Sequence, residues 1–214
     1  MKVLLADDHQ IVCEGLRQII ERKLDAEIVG SVTDGKQAVK QAQTLQPDMV
    51  IMDISMPGLN GVDAARAIQA ESPQIKVLIL SMHSDEHVIR EALEAGCWAY
   101  ILKDSLLDEI VSAIKVVDRG HRYLSPQVSN IVLDGYLNLD QVKPSKKGRL
   151  TSRQRQILQL LTEGHSSKQI ALQLNISVKT VDATRLRIME KTGIHNIAEL
   201  TKYAVKEGIT SLHF

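Results

Sequence analysis

Three aspartates, a serine and a lysine in this 214-residue chain share one feature: each follows a short apolar run. Asp7 and Asp8 follow residues 3–6, Asp53 follows 49–52, Ser81 follows 77–80 and Lys103 follows 98–102. Runs of this kind, bounded by turn residues, read as buried parallel strands, and ligands of open α/β sheets bind beyond the carboxyl ends of such strands. A single Asp in that position is usually a cap or turn former. The set reads differently, because three carboxylates at one edge repel one another until a cation neutralises them. An all-oxygen donor set suits Mg²⁺, which keeps several waters and takes one or two carboxylates. The expected ligands are Asp8 and Asp53 directly, Asp7 through water, and the backbone carbonyl of Ser55. With the Lys103 ammonium and the Ser81 hydroxyl at the same edge, the favoured chemistry is phosphoryl transfer to the Asp53 carboxylate, the cations holding equatorial oxygens.

The elements that must position these groups alternate short apolar runs with helical periodicity up to about residue 122. That alternation predicts five βα units in a doubly wound parallel sheet, with strands at 3–6, 27–32, 49–52, 77–80 and 98–102. Asp34 and Asp85 stand where N-caps belong, and Gly96 and Gly120 where a left-handed cap is wanted. Residues 125–136 form one more amphipathic pattern, with Val128, Ile131, Val132 and Tyr136 on one side, read as a linker helix. Residues 138–149 hold too few apolar side chains to pack and read as a tether. The organisation is therefore 1–122, a linker region 123–149, and 150–214, the last reading as four short helices without strands.

Charge supports the division. Residues 1–140 carry 13 Lys/Arg against 21 Asp/Glu, and residues 141–214 carry 13 against 5, so a net charge of zero hides an acidic front and a basic back. A basic segment attracts phosphate-rich partners. Cys13 and Cys97 lack the spacing of a disulfide framework or a zinc site, and together with Trp98 they read as packing residues. The opening apolar stretch is too short for a signal peptide, and no run approaches the ~18 apolar residues of a membrane span. A cytoplasmic protein that does not engage membranes is expected.

Within the basic part, helices near 166–174 and 178–192 flank a tight Asn175-Ile176-Ser177 turn, the pattern of a helix-turn-helix. On a helical wheel Val181 and Ile188 point one way, and Lys179, Ala183, Leu186 and Glu190 the other, with Asp182 at the edge. Arg185 and Arg187 fall on opposite flanks, within reach of the phosphates of a major groove, and Lys168 and Lys191 add charge. None of Asp182, Ala183 and Leu186, the base-facing positions, makes the bidentate guanine contact expected of Arg.

Two resemblances sharpen this reading. Ala6-Asp7-Asp8-His9, Met52-Asp53-Ile54-Ser55-Met56-Pro57-Gly58-Leu59-Asn60-Gly61, Leu80-Ser81-Met82-His83 and Tyr100-Ile101-Leu102-Lys103 resemble a response-regulator receiver domain, of flavodoxin-like fold. Leu150-Thr151-Ser152-Arg153, Glu163-Gly164, Ser167-Lys168-Gln169-Ile170-Ala171, Lys179-Thr180-Val181 and Ile188-Met189-Glu190-Lys191 resemble the LuxR-type helix-turn-helix. The whole chain thus looks like a NarL/FixJ-type response regulator. The resemblance implies phosphorylation of Asp53 by a sensor histidine kinase, with Ser81 and Tyr100 shifting together toward the phosphoryl group. It also implies DNA contacts from the 178–192 helix, Thr180 included, and a homodimer on pseudo-palindromic promoter DNA through Ile197, Leu200 and Ala204 of the fourth helix. The sequence departs from the pattern at Asp104, where many receivers have proline, and at Gln154, Thr184 and Thr192. His83 and Ser55, beside the crevice, are expected to tune how fast water reaches the acyl phosphate.

Two other readings remain open at this point. One is a DNA-binding regulator switched by a partner protein without phosphorylation. The other is an aspartyl-phosphate hydrolase, though Ser55 stands where such enzymes keep a second acid.

Overall fold

The computed structural model describes residues 1–105, 107–137 and 150–210; the expected tether at 138–149 and the last four residues lie outside them. The chain divides into two compact units, Met1–Gln141 and Val142–Phe214.

The first unit follows the βα alternation: β1 (Lys2–Ala6), α1 (Gln10–Lys23), β2 (Glu27–Val32), α2 (Gly35–Leu45), β3 (Met49–Met52), α3 (Gly61–Glu71), β4 (Lys76–Ser81), α4 (Glu86–Glu94), β5 (Ala99–Leu102), α5 (Leu107–Asp118), β6 (Tyr123–Leu124) and α6 (Pro126–Leu137). All strand pairs are parallel, in the order β2-β1-β3-β4-β5-β6. Successive strand residues point to opposite faces, so Leu4 and Ala6 pack with α2, α3, α4 and α6, while Val3 and Leu5 pack with α1 and α5. Two buried layers follow, each contributing roughly 1.5–3 kcal/mol per buried large aliphatic side chain.

The sheet has six strands where five were expected. Tyr123 and Leu124 pair with Ala99 and Tyr100, a two-residue strand too short to show alternation. The 125–136 helix is likewise no free linker: α6 docks on the receiver-like unit, with Val128 fully buried and Ile131 and Val132 packed against the same layer. Tyr136 does not join them and is 70% exposed. Asp34 caps α2 by accepting from the Gln37 N–H, whereas Asp85 occupies the N-cap position of α4 without a side-chain bond. No described peptide bond is cis, Lys103–Asp104 included.

The second unit holds α7 (Ser152–Thr162), α8 (Ser167–Gln173), α9 (Val178–Thr192) and α10 (Ile197–Lys206) around Ile157, Leu158, Leu161, Ile170, Val181, Ile188, Leu200 and Ala204. Gln154, one of the departures, completes the cap of α7: Thr151 Oγ1 accepts from its N–H and its Oε1 accepts from the Thr151 N–H. Asn175 takes a left-handed φ of 50° in the turn between α8 and α9, a conformation Asn tolerates better than other side chains.

Candidate phosphoacceptor crevice and basic helix-turn-helix

Parallel pairing sets the crevice. Asp53 is the first residue beyond β3, and its N–H still bonds to the carbonyl of Ala6 at the end of β1; Lys103, first beyond β5, bonds likewise to Ser81 at the end of β4. The side chains therefore leave adjacent strand ends at one level. Lys103 Nζ lies 2.8 Å from Asp7 Oδ2 and 2.9 Å from Asp53 Oδ2, bridging two buried carboxylates. Asp8 lies at the mouth. His9 Nδ1 stands 3.1 Å from Asp7 Oδ1 and 2.9 Å from Asp8 Oδ1, a contact the sequence reading missed because it depends on how the loop after β1 turns back. Gly61 opens α3 directly behind Asp53, where a Cβ would come within 2.0 Å of the Asp53 carbonyl oxygen.

On the other side Ser81 and Tyr100, both fully buried, grip the backbone of His83 on either side of its Cα. Ser81 Oγ accepts from the His83 N–H at 3.1 Å, and the Tyr100 hydroxyl donates to the His83 carbonyl at 2.7 Å. The His83 ring in turn pairs with Ser55 Oγ at 3.1 Å, which joins the loop after β4 to the loop after β3.

Electrostatics follow from burial. Loss of water pushes the Asp53 carboxyl above its ordinary range, the Lys103 ammonium pulls it down, Asp7 pushes it up, and the net is upward. Burial lowers Lys103, but Asp53 and Asp7 more than offset this, and its ammonium is held more firmly than usual. Burial also lowers the His83 imidazole. The Cys97 thiol is pushed up to about 12 by burial, in keeping with a packing role.

In the second unit the wheel reading places the faces correctly: Val181 and Ile188 are fully buried, and Leu186 is 61% exposed. Lys168, Lys179, Thr180, Asp182, Ala183, Arg187 and Lys191 are exposed, and Arg185 is half-buried. Two of them are tied inward. Asp182 Oδ1 accepts from Ser167 Oγ at the start of α8 at 2.7 Å, and Lys191 Nζ donates to Gln154 Oε1 at 2.9 Å. The expectation for α10 needs correction. Leu200 and Ala204 are fully buried in their own domain's core, leaving Ile197, 44% exposed, as the one of the three with surface to offer. An amphipathic helix with apolar residues on more than one side does not announce which side faces in.

Comparison with known proteins agrees with both halves. Residues 3–115 match the response regulator receiver domain, and residues 148–204 match the bacterial regulatory proteins of the luxR family. The response regulator UvrY of Escherichia coli (strain K12) is 35% identical over 213 residues, covering 98% of this chain and 95% of UvrY. The chain is a two-component response regulator. RcsB from Salmonella enterica serovar Typhimurium, solved bound to promoter P1flhDC in the presence of phosphomimetic BeF₃⁻, is 25% identical with a TM-score of 0.62, covering 98% of this chain and 99% of that one. A second RcsB structure, two dimers bound to two parallel DNAs, is also 25% identical, with a TM-score of 0.59 over 96% and 98% of the two chains.

As a response regulator with a luxR-family domain, the chain has a receiver crevice that fits a divalent ion on its own donor chemistry. Oxygens of Asp7, Asp8 and Asp53 and the His9 ring lie within 4.8 Å of one another. Among the described residues those three carboxylates face one ammonium, that of Lys103, an excess of negative charge on hard oxygen donors that suits Mg²⁺.

Proposed function

We propose that this response regulator receives a phosphoryl group on Asp53 from a sensor histidine kinase, and that the modification controls dimerisation and promoter binding by the luxR-family domain. The observation that carries the proposal is the Lys103 ammonium held between Asp7 and Asp53. It leaves a nucleophilic carboxylate beside a fixed positive charge, with the oxygens of Asp7 and Asp8 close enough to share a cation with it.

Asp8, Asp53, Asp7 through water and the Ser55 carbonyl would hold Mg²⁺, which when bound neutralises charge on the transferring phosphoryl group. In the transfer, an Asp53 oxygen forms the new bond to phosphorus while the phosphorus–nitrogen bond of the kinase's phosphohistidine breaks, and the departing imidazole recovers its electron pair. Lys103 stays paired with an equatorial oxygen. Ser81 then turns its hydroxyl to the phosphoryl group, giving up the His83 N–H; Tyr100 follows through the His83 carbonyl. That rearrangement is the bistable element biased by phosphorylation. The His83–Ser55 pair screens the acyl phosphate from water and sets its lifetime. The same group transfer makes the protein an acceptor with slow self-hydrolysis, not a turnover enzyme.

At the other end Lys168, Lys179, Thr180, Arg185 and Arg187 contact phosphates of double-stranded promoter DNA. The Ile197 face of α10 pairs two subunits on a pseudo-palindromic site, as the family and the RcsB dimers on DNA support. No described helix is long and apolar enough to cross a membrane, and the family supports a cytoplasmic place of action. Fluorescence anisotropy of full-length protein on a selected duplex, with and without BeF₃⁻ and Mg²⁺, tests the coupling. Tighter binding with the mimic is expected. Equal affinity would favour a regulator switched by a partner protein.

A further inference from the structure

We infer that Leu186 reads a thymine methyl group, so that each half-site of the operator carries an obligatory thymine where other recognition helices would demand guanine. The inference rests on α9 lying in the major groove, the reading proposed above. Leu186 is 61% exposed on the face of α9 opposite its buried residues Val181 and Ile188. Ala183, three residues earlier, shares that face and is exposed.

A lone exposed leucine is commonplace, but the surroundings of this one define its partner. Lys179 shares the face of the apolar pair, exposed Arg187 and half-buried Arg185 stand on its two flanks, and neither they nor Lys168 form salt bridges to the described residues. Cations around a small apolar centre complement a groove with phosphates on both walls and a methyl on its floor. The major groove offers one apolar feature, the C5 methyl of thymine, and small aliphatic side chains are its partners.

The competing reader on this helix is Asp182, which would select cytosine through its N4 donor. Its Oδ1 is engaged by the Ser167 hydroxyl at 2.7 Å, which directs the carboxylate toward α8. Glu190, one turn beyond Leu186, marks where the phosphates would reject the helix. The sequence-reading centre of α9 is thus apolar.

The test selects duplexes from a random library with full-length wild-type protein in BeF₃⁻ and Mg²⁺, then replaces single thymines in the winning duplex by deoxyuracil, which removes only the methyl. Binding is expected to weaken about 3- to 5-fold at one thymine per half-site, the worth of one buried methyl. Leu186→Ser, a surface change that removes the apolar contact, should bind thymine and deoxyuracil duplexes equally, and Leu186→Arg should move the selected base at that position to guanine. If deoxyuracil is tolerated everywhere while the selected duplex still outcompetes random DNA, the Leu186 assignment is overturned and the groove reading stands. If no duplex is enriched and binding is negligible, both fall.

Discussion

Lys103 and Asp53 show how much a single pair can say. Asp53 is an acid in a buried place that favours the neutral carboxyl and raises its pKa. Its folded-state pKa lies above the unfolded one, so stability is lost as pH rises from the unfolded-state value through the folded-state value, and the loss persists at neutral pH. Asp53→Asn removes that penalty. Thermal denaturation should show the variant melting above wild type at neutral pH, by about 4 °C for each kcal/mol recovered, with the gap closing near pH 3 and narrowing when Mg²⁺ stabilises the wild type. The same shift makes protons compete with the cation: Mg²⁺ affinity, followed by calorimetry, should begin to weaken on acidification at a higher pH than an ordinary carboxylate would dictate. The strand-end acids and Lys103 were legible in the sequence because each ends an apolar run. The contacts of His9 with Asp7 and Asp8 were not, since they depend on a loop path that no periodicity encodes.

At the scale of elements, helix faces decide which substitutions hurt. Leu200 is sealed in the luxR-family core while Ile197 stands outside it. Leu200→Ala should cost about 2–5 kcal/mol of that domain's stability. Ile197→Ala should leave its melting unchanged and weaken only cooperative binding to two half-sites, read by native gel shift. The sequence located α10 and its cap at Asn196, whose side chain accepts from the Glu199 N–H, yet left its inward face undecided between two apolar sides. The docking of α6 was hidden for a different reason. Its Val128, Ile131 and Val132 pattern was visible, but that they pack on the receiver layer is a tertiary fact. Val128→Ala should lower receiver stability by about 2 kcal/mol and speed hydrogen exchange along α6 before the central strands.

For the molecule as a whole, charge sorts the work. The acidic unit gathers the carboxylate cluster proposed to take a cation and a phosphoryl group, and the basic unit presents Lys168, Lys179 and Arg187 to solvent. Arg187→Ala should weaken binding on every duplex alike and reduce the slope of log affinity against log salt by about 0.9, measured by anisotropy across a salt series. A loss confined to one operator would move Arg187 from phosphate to base contact. The presence of two units and their order were readable from charge asymmetry and motif spacing, because both are properties of sequence alone.

Intact-mass spectrometry after exposure to a small-molecule phosphodonor tests the central claim most directly. Wild type in Mg²⁺ should gain the mass of one phosphoryl group, and should gain none in excess chelator or as Asp53→Asn. A phosphoryl group on Asp53→Asn, or a wild type that stays unlabelled with Mg²⁺ present, would contradict the account.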